Sequence, residues 1–268
     1  MERRCAWRLV DAEGYLLARC EALDAIPGIA HAVSTRRARG IGFDLGTAED
    51  CGGPLEARRA ALVQAAGCLG SRPAILRQVH GSRVVRSTDL GDARLEADGV
   101  VGFRGDGPGA PVPAVRMADC AAVLLASGGG DAFAAVHAGW RGIAAGIVRE
   151  AVRRLAEPGW APSTLVAAIG PSIGPCCYEV GDEVVEAIVA AGVPESSLFV
   201  RTVPGGRPRV DLHAALARQL ADAGVPAEAI HPAPWCTRCR NDLFFSFRAE
   251  GRDVGRLMAV VGPRAARP

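Results

Sequence analysis

At 268 residues, 49% of them hydrophobic, the chain is long enough to bury a substantial core, as one large domain or two small ones. Charged residues make up 22% and balance to a net charge of only +2, which excludes the broad basic field of a nucleic-acid or membrane-surface protein. Nine scattered cysteines, an odd number, are a poor match to a secreted disulfide framework in a chain this long.

The first residues, Met1 to Gly14, are positive but lack an apolar stretch suited to export. No run approaches the ~18 apolar residues of a membrane span. A reduced cytoplasmic enzyme, monomer or homodimer, is the expectation. The basic residues are nearly all arginine, which reads as genome composition before it reads as function. Neither an internal repeat nor a charge block is present. The Gly-Pro-rich stretches Gly102–Pro113 and Val203–Pro208 read as loops too short to divide domains, so residues 1–268 are expected to form a single domain.

In chain order, Pro54–Ala66 is a predicted helix. Ala74–Val85 is strand-like around an interruption at Gly81. Val112–Ala126 is too long for one strand and is predicted to bend near Asp119. Ala132–Val136 is a short apolar strand. Arg141–Ala156 reads as a helix with Ile143, Ile147, Val148, Val152 and Leu155 on one face. A strand follows at Leu165–Ile169. Gly181–Ala191 starts with acidic residues that suit a helix N-terminus. Asp211–Ala223 has an acidic start and Gly224 at its end. Leu257–Val261 is a terminal strand. Strands and helices mix without strict alternation, which predicts an α+β fold of mixed β-sheets packed with helices.

Three segments hold the rare chemistry: Gln78–Val84 (QVHGSRV), Arg116–Ala121 (RMADCA) and Val136–Arg141 (VHAGWR). They carry Cys120 and two of only five histidines, His80 and His137. Taken singly, such residues are more often hydrogen-bonded core histidines or inert packing thiols. Together they border apolar strand-like runs, and strand ends can aim distant side chains at one point. One thiolate and two imidazoles make a partial shell for a d-block metal with a coordination position left open. Small neighbours, Gly81 beside His80 and Gly139 near His137, leave both rings uncrowded. Separations of 40 and 17 residues match no short-loop structural zinc motif. Gln78 and Asp119 are candidates to hydrogen-bond a substrate edge or steady the imidazoles. Arg141, at the start of the predicted helix, is a candidate phosphate contact. Arg36 and Arg248 are weaker candidates for anion contact. Cys236-Thr237-Arg238-Cys239 is a lone CxxC whose surroundings read as a loop. Cys176-Cys177 is the one further thiol pair that could complete a metal shell, and an independent metal or redox role is not expected.

The segments QVHG, ADC and HAGWRG, in this order, resemble the YfiH/YlmD family, whose members carry the names multicopper-type laccase, peptidoglycan editing factor and purine nucleoside phosphorylase. Val33-Ser34-Thr35-Arg36, Glu96-Ala97-Asp98-Gly99, Ile169–Gly181 and Cys236-Thr237 with Phe244–Arg248 and Gly255-Arg256 extend the resemblance over nearly the whole chain. Ala121 stands where the family usually has proline, Asp44 where it has asparagine, and Arg36–Gly42 in place of its double-glycine loop.

The resemblance implies that His80, Cys120 and His137 bind zinc. The same donor set also suits copper. Five histidines in total are too few for a multicopper oxidase centre. The implied activity is phosphorolysis of adenosine, inosine and methylthioadenosine, with adenosine deamination, so the partners are a purine nucleoside and phosphate rather than nucleic acid or membrane. His80, Cys120, His137 and Arg141 would be catalytic; Arg36, Gln78, Asp119 and Arg248 would bind substrate. The zinc deaminase signature H-x-E with P-C-x-x-C is missing. Two alternatives use the same residues: a copper-dependent polyphenol oxidase, and a cysteine hydrolase of cell-wall precursors with Cys120 as nucleophile. A metal-stabilised binding protein is the blandest reading.

Overall fold

The computed structural model describes residues 6–46, 55–70, 72–90, 95–107, 109–200 and 206–266. Residues 1–5 of the positive N-terminal stretch, Pro54, Pro108 and Val203–Gly205 lie outside them. In chain order the strands are β1 (Trp7–Ala12), β2 (Tyr15–Cys20), β3 (Ile29–Ala38), β4 (Ile41–Gly42), β5 (Val84–Arg86), β6 (Gly99–Phe103), β7 (Ala114–Met117), β8 (Ala121–Ser127), β9 (Ala132–Ala138), β10 (Leu165–Ile169), β11 (Phe199–Val200), β12 (Arg209–Val210), β13 (Ile230–Pro232) and β14 (Leu257–Pro263). The helices are α1 (Glu21–Asp24), α2 (Leu55–Ala65), α3 (Trp140–Ala144), α4 (Ile147–Ala156), α5 (Asp182–Ala190), α6 (Leu212–Asp222) and α7 (Phe247–Glu250).

Two large sheets carry the fold. One runs β1-β2-β3-β14-β7 with β4 beside β3; the other runs β13-β10-β8-β9-β6-β5. Strand parity explains how they stack. On β8 and β9, Val123, Leu125, Ala134 and Val136 pack with Ile147, Val148 and Ala151 of α4. The alternate residues Ala122, Leu124, Phe133 and Ala135 pack against Val33, Val115 and Leu257 of the other sheet. Strands apolar on both faces belong in the middle of layers, so helices, second sheet and first sheet stack in that order. The far face of the first sheet meets Leu62 and Val63 of α2 through Ala32 and Val260.

The α+β reading holds, with corrections to its elements. The bend expected near Asp119 is real: Asp119 has φ 81°, and the chain leaves β7 in one sheet to enter β8 in the other. Ala74–Val85 is not one strand; its first part makes only an isolated bridge, Arg77 with Glu96, and Pro73 just before it makes another with Val112. The predicted helix Arg141–Ala156 is two helices, broken at Gly146, which sits at φ 76° where residues with a Cβ are strained. Gly102 and Phe103, expected in a loop, end β6. The helices predicted at Gly181–Ala191 and Asp211–Ala223 form within one residue of their expected ends, and Asp211 caps α6 by accepting from the Ala214 amide at 3.0 Å. β1 and β2 went unpredicted; Glu13 and Gly14 turn between them with φ 56° and 90°.

Candidate metal centre

The register of β8 and β9 sets two of the three donors. Ala122 pairs with His137 and Ala121 with Ala138, so Cys120, just before β8, sits on the same face as His137 at the ends of the two strands. That face looks into the seam between the sheets. His80 arrives from the loop before β5. The donor atoms of His80, Cys120 and His137 all lie within 4.8 Å of one another. The imidazole rings stand edge to face, with centroids 4.8 Å apart. His137 is buried, Cys120 half-buried and His80 exposed, so the cluster opens to solvent on one side.

Asp98, fully buried, organises this cluster. Its Oδ1 accepts from the His80 amide at 2.9 Å and contacts His137 Nδ1 at 2.9 Å; its Oδ2 accepts from the amides of Val79 at 3.1 Å and Gly81 at 2.8 Å. Three successive backbone donors turned onto one carboxylate cannot also pair as a strand, which is why the predicted Ala74–Val85 strand breaks here. His80 itself adopts φ 61°, a strained value for a residue with a Cβ, held by these bonds. With Nδ1 donating to Asp98, His137 turns Nε2 toward the cluster. Asp98 was not among the residues singled out from sequence; the Glu96–Gly99 element was its one visible signal.

The charges follow from this geometry. Burial opposes ionisation of Cys120, but His137 and His80 outweigh it and bring the thiol down to about 6. Burial likewise opposes charging His137, and the thiolate of Cys120 with the carboxylate of Asp98 raises it to about 9. Asp98 is held below the usual carboxylate range despite its burial, chiefly by His137 and the Gly81 amide.

A cleft of about 520 Å³ adjoins the cluster, lined by Gln78, His80, Arg116, Asp119, Cys120, His137, Ile173, Tyr178, Phe247, Arg248 and Arg256 among others. Three arginines against one carboxylate give it a positive interior. Gln78 and Asp119 are in this wall, but their polar atoms are already engaged. Gln78 bonds the Arg116 backbone through both ends of its amide, at 2.7 and 2.9 Å. Asp119 accepts from Thr237 Oγ1 and from the Arg248 amide, both at 2.6 Å. Arg248 reaches the Glu179 carbonyl at 2.9 Å, with its guanidinium 5.4 Å from the Tyr178 ring. Tyr178 is pushed up to about 12 by burial and by Cys120, so its phenol stays protonated. Arg116 and Arg256 were not predicted as site residues. Asp44, a departure noted above, accepts from the Arg256 amide at 2.7 Å and so helps to fix that arginine's backbone.

Two candidates are not brought into the cleft. Arg36 bonds the Asn241 carbonyl at 2.8 Å, pairs with Glu250 at 3.1 Å and stacks on Phe245. Arg141 is exposed and lies over the Trp140 ring at 4.3 Å. The helix start expected to seat phosphate belongs to α3, which has only five residues and whose first intrahelical bond runs from the Ile143 amide to the Gly139 carbonyl at 2.9 Å. The CxxC does not stand alone in the fold: Cys176, Cys177, Cys236 and Cys239 form a second thiol cluster.

The family model described as multi-copper polyphenol oxidoreductase laccase matches residues 31–264. The chain belongs to that family. Among members of this laccase-like family, the purine nucleoside phosphorylase YfiH of Escherichia coli (strain K12) is 38% identical over 197 residues, 74% of this chain and 76% of the relative. Adenosine deaminase RL5, from an unknown prokaryotic organism, is 36% identical over 186 residues, 67% of this chain and 71% of the relative. The crystal structure of YlmD from Geobacillus stearothermophilus matches with a TM-score of 0.82 at 29% identity, covering 97% of this chain and 100% of that one. Among the described residues, no helix is long and apolar enough to cross a membrane.

Proposed function

We propose that the chain is a zinc-dependent purine nucleoside phosphorylase acting on adenosine, inosine and methylthioadenosine, with adenosine deaminase activity. The observation that carries this reading is the juxtaposition of a three-donor cluster with a cleft whose wall holds Arg116, Arg248 and Arg256. The names of the relatives support it. The donor set fits zinc: one thiolate and two imidazoles, one of them oriented by a buried carboxylate, with an exposed side for a further ligand. When held by His80, Cys120 and His137, zinc supplies a Lewis acid beside the cleft.

Phosphorolysis joins a phosphate oxygen to the anomeric carbon and breaks the bond to the purine. The arginines hold the dianion, and a guanidinium recognises phosphate through paired N–H donors. Tyr178 and Phe247 offer aromatic faces to the base. Tyr178 keeps its proton and is a hydrogen-bond donor. The abundance of free thiols fits a cytoplasmic setting. The test is incubation with adenosine and phosphate. Adenine and ribose 1-phosphate, lost on metal chelation and restored by zinc, are the expected products, with inosine from deamination. No purine turnover by zinc-loaded protein overturns the reading.

One observation favours a second reading. Cys120, His137 and Asp98 are aligned as nucleophile, base and orienting carboxylate, the arrangement of a cysteine hydrolase. It requires activity in chelator-treated protein and a covalent adduct at Cys120.

A further inference from the structure

A second set of donors lies beside the first and takes no part in it. Cys176 and Cys177 sit in the turn after β10, while Cys236 and Cys239 sit in the turn after β13. β10 and β13 are parallel neighbours, with Ala167 opposite Ile230, and a bridge between Ser172 and Cys236 prolongs their pairing. The two turns therefore meet. All four sulfurs lie within 4.8 Å of one another. Cys239 Sγ is 3.5 Å from Cys176 Sγ and 3.4 Å from Cys177 Sγ. Zinc–thiolate bonds of ~2.3 Å in a tetrahedron put neighbouring sulfurs roughly 3.8 Å apart, close to this spacing.

The backbone around the four sulfurs is also well fixed. The Gly174 amide donates to Cys236 Sγ at 3.2 Å. The Thr237 amide bonds the Ser172 carbonyl and the Arg240 amide bonds the Cys236 carbonyl, closing the CxxC into a tight turn. Arg209 holds the Cys176 carbonyl at 3.1 Å, which puts a cation near a site that would carry net negative charge. The S–H···S contacts that Cys239 makes with Cys176 and Cys177 are weak. Four soft donors at tetrahedral spacing are better satisfied by a soft divalent ion.

We propose that Cys176, Cys177, Cys236 and Cys239 form a second, structural zinc site. Uptake exchanges S–H protons for four Zn–S bonds; the protons leave to solvent and no atom changes oxidation state. With all four positions filled by protein, the ion has no open face for substrate. It acts as a strut. The joined turns carry Ile173 and Tyr178 of the cleft wall, and Thr237, whose hydroxyl holds Asp119 next to Cys120.

The assignment is independent of the purine chemistry and is tested without an activity readout. Full-length protein, purified under reducing conditions without chelator or affinity tag, is assayed for metals. The expected result is two equivalents of zinc per chain. The triple variant H80A/C120A/H137A retains one, and cobalt loaded into it gives the strong visible bands of a tetrahedral tetrathiolate. The double variant C176S/C239S loses one equivalent and melts at lower temperature. Should that variant fail to fold, the triple variant and the wild-type count still decide. Zinc that disappears altogether from the triple variant, cobalt without thiolate charge-transfer bands, or a disulfide among these cysteines in freshly reduced protein would each overturn the proposal.

Discussion

Replacing Asp98 by asparagine tests the organisation of the metal centre most directly. The carboxylate accepts from four donors, two on each oxygen: His80 N and His137 Nδ1 on Oδ1, Val79 N and Gly81 N on Oδ2. Asparagine keeps one acceptor oxygen and places an amide NH2 where the other stood. In either rotamer, two donors in a fully buried place lose their acceptor and face another donor. At about 1–3 kcal/mol for each unsatisfied group, the metal-free protein loses roughly 2–6 kcal/mol of stability. If the amide nitrogen faces His137, that ring loses the bond that fixes Nδ1–H. If it replaces the other oxygen, the amides of Val79 and Gly81, which flank the strained His80, lose their acceptor. Outer partners of this kind are worth about 10- to 100-fold in metal affinity. The assays are zinc retention by wild type and Asp98→Asn under graded competition from one chelator, and urea unfolding of the stripped proteins. Unchanged retention together with an unchanged midpoint would refute the role given to Asp98.

Gly139→Ala puts a Cβ at 2.9 Å from Cys120 Sγ and 3.1 Å from His80 Cδ2, so two donors must move; a shift of that order is expected to lower turnover about 100-fold and to reduce bound zinc, both read on purified variant. Arg248→Ala leaves the backbone bond to Asp119 in place but removes a guanidinium from the cleft; KM for phosphate should rise about 10- to 100-fold while KM for adenosine changes little. His31 is buried and accepts the Cys20 amide on Nε2 at 2.8 Å, and burial lowers it from 6.5 to about 3. The unfolded chain therefore takes up a proton that the native state refuses. His31 stabilises fully above pH 6.5, and that contribution falls as pH drops toward 3, with a slope approaching ~1.4 kcal/mol per pH unit. Urea midpoints across this range should lose that slope in His31→Gln.

The three donors were legible because histidine is scarce and all three stand beside apolar runs that form strands. Asp98 was less legible. A carboxylate beside Gly99, Val100 and Val101 has no periodic signature, and its importance comes from loop amides that only the folded chain turns toward it. The placement of Arg36 and Arg141 was not legible for the opposite reason. Arginine is abundant, and adjacency in sequence to a site says little about where a long side chain goes. Arg36 found Glu250 and Phe245; Arg141 found Trp140. The thiol cluster was hidden by topology. Cys176-Cys177 and Cys236-Cys239 meet only because β10 and β13 pair in parallel, a register that neither segment specifies by itself. The first β-hairpin was missed although Glu13-Gly14 is a turn signal, because its strands do not alternate cleanly; β1 is mostly exposed or half-buried.

The metalloenzyme and hydrolase readings differ in what occupies the same atoms. Without a cation among them, Cys120 near 6 and His137 near 9 make a thiolate–imidazolium pair between those values, the protonation state of a cysteine nucleophile. Zinc ligation demands the same thiolate but a neutral imidazole, so the metal competes with one proton, on His137 Nε2, and not with the thiol proton. Asp98 serves both states, since it accepts from Nδ1 whether or not Nε2 is protonated. Zinc binding to this cluster near pH 7.5 is therefore expected to release about one proton, the stoichiometry set by His137 alone. Calorimetry of C176S/C239S in buffers of different ionisation enthalpy measures it. Release of two protons would mean that the thiol is not ionised beforehand, and the pairing that makes the hydrolase reading attractive would be lost with it.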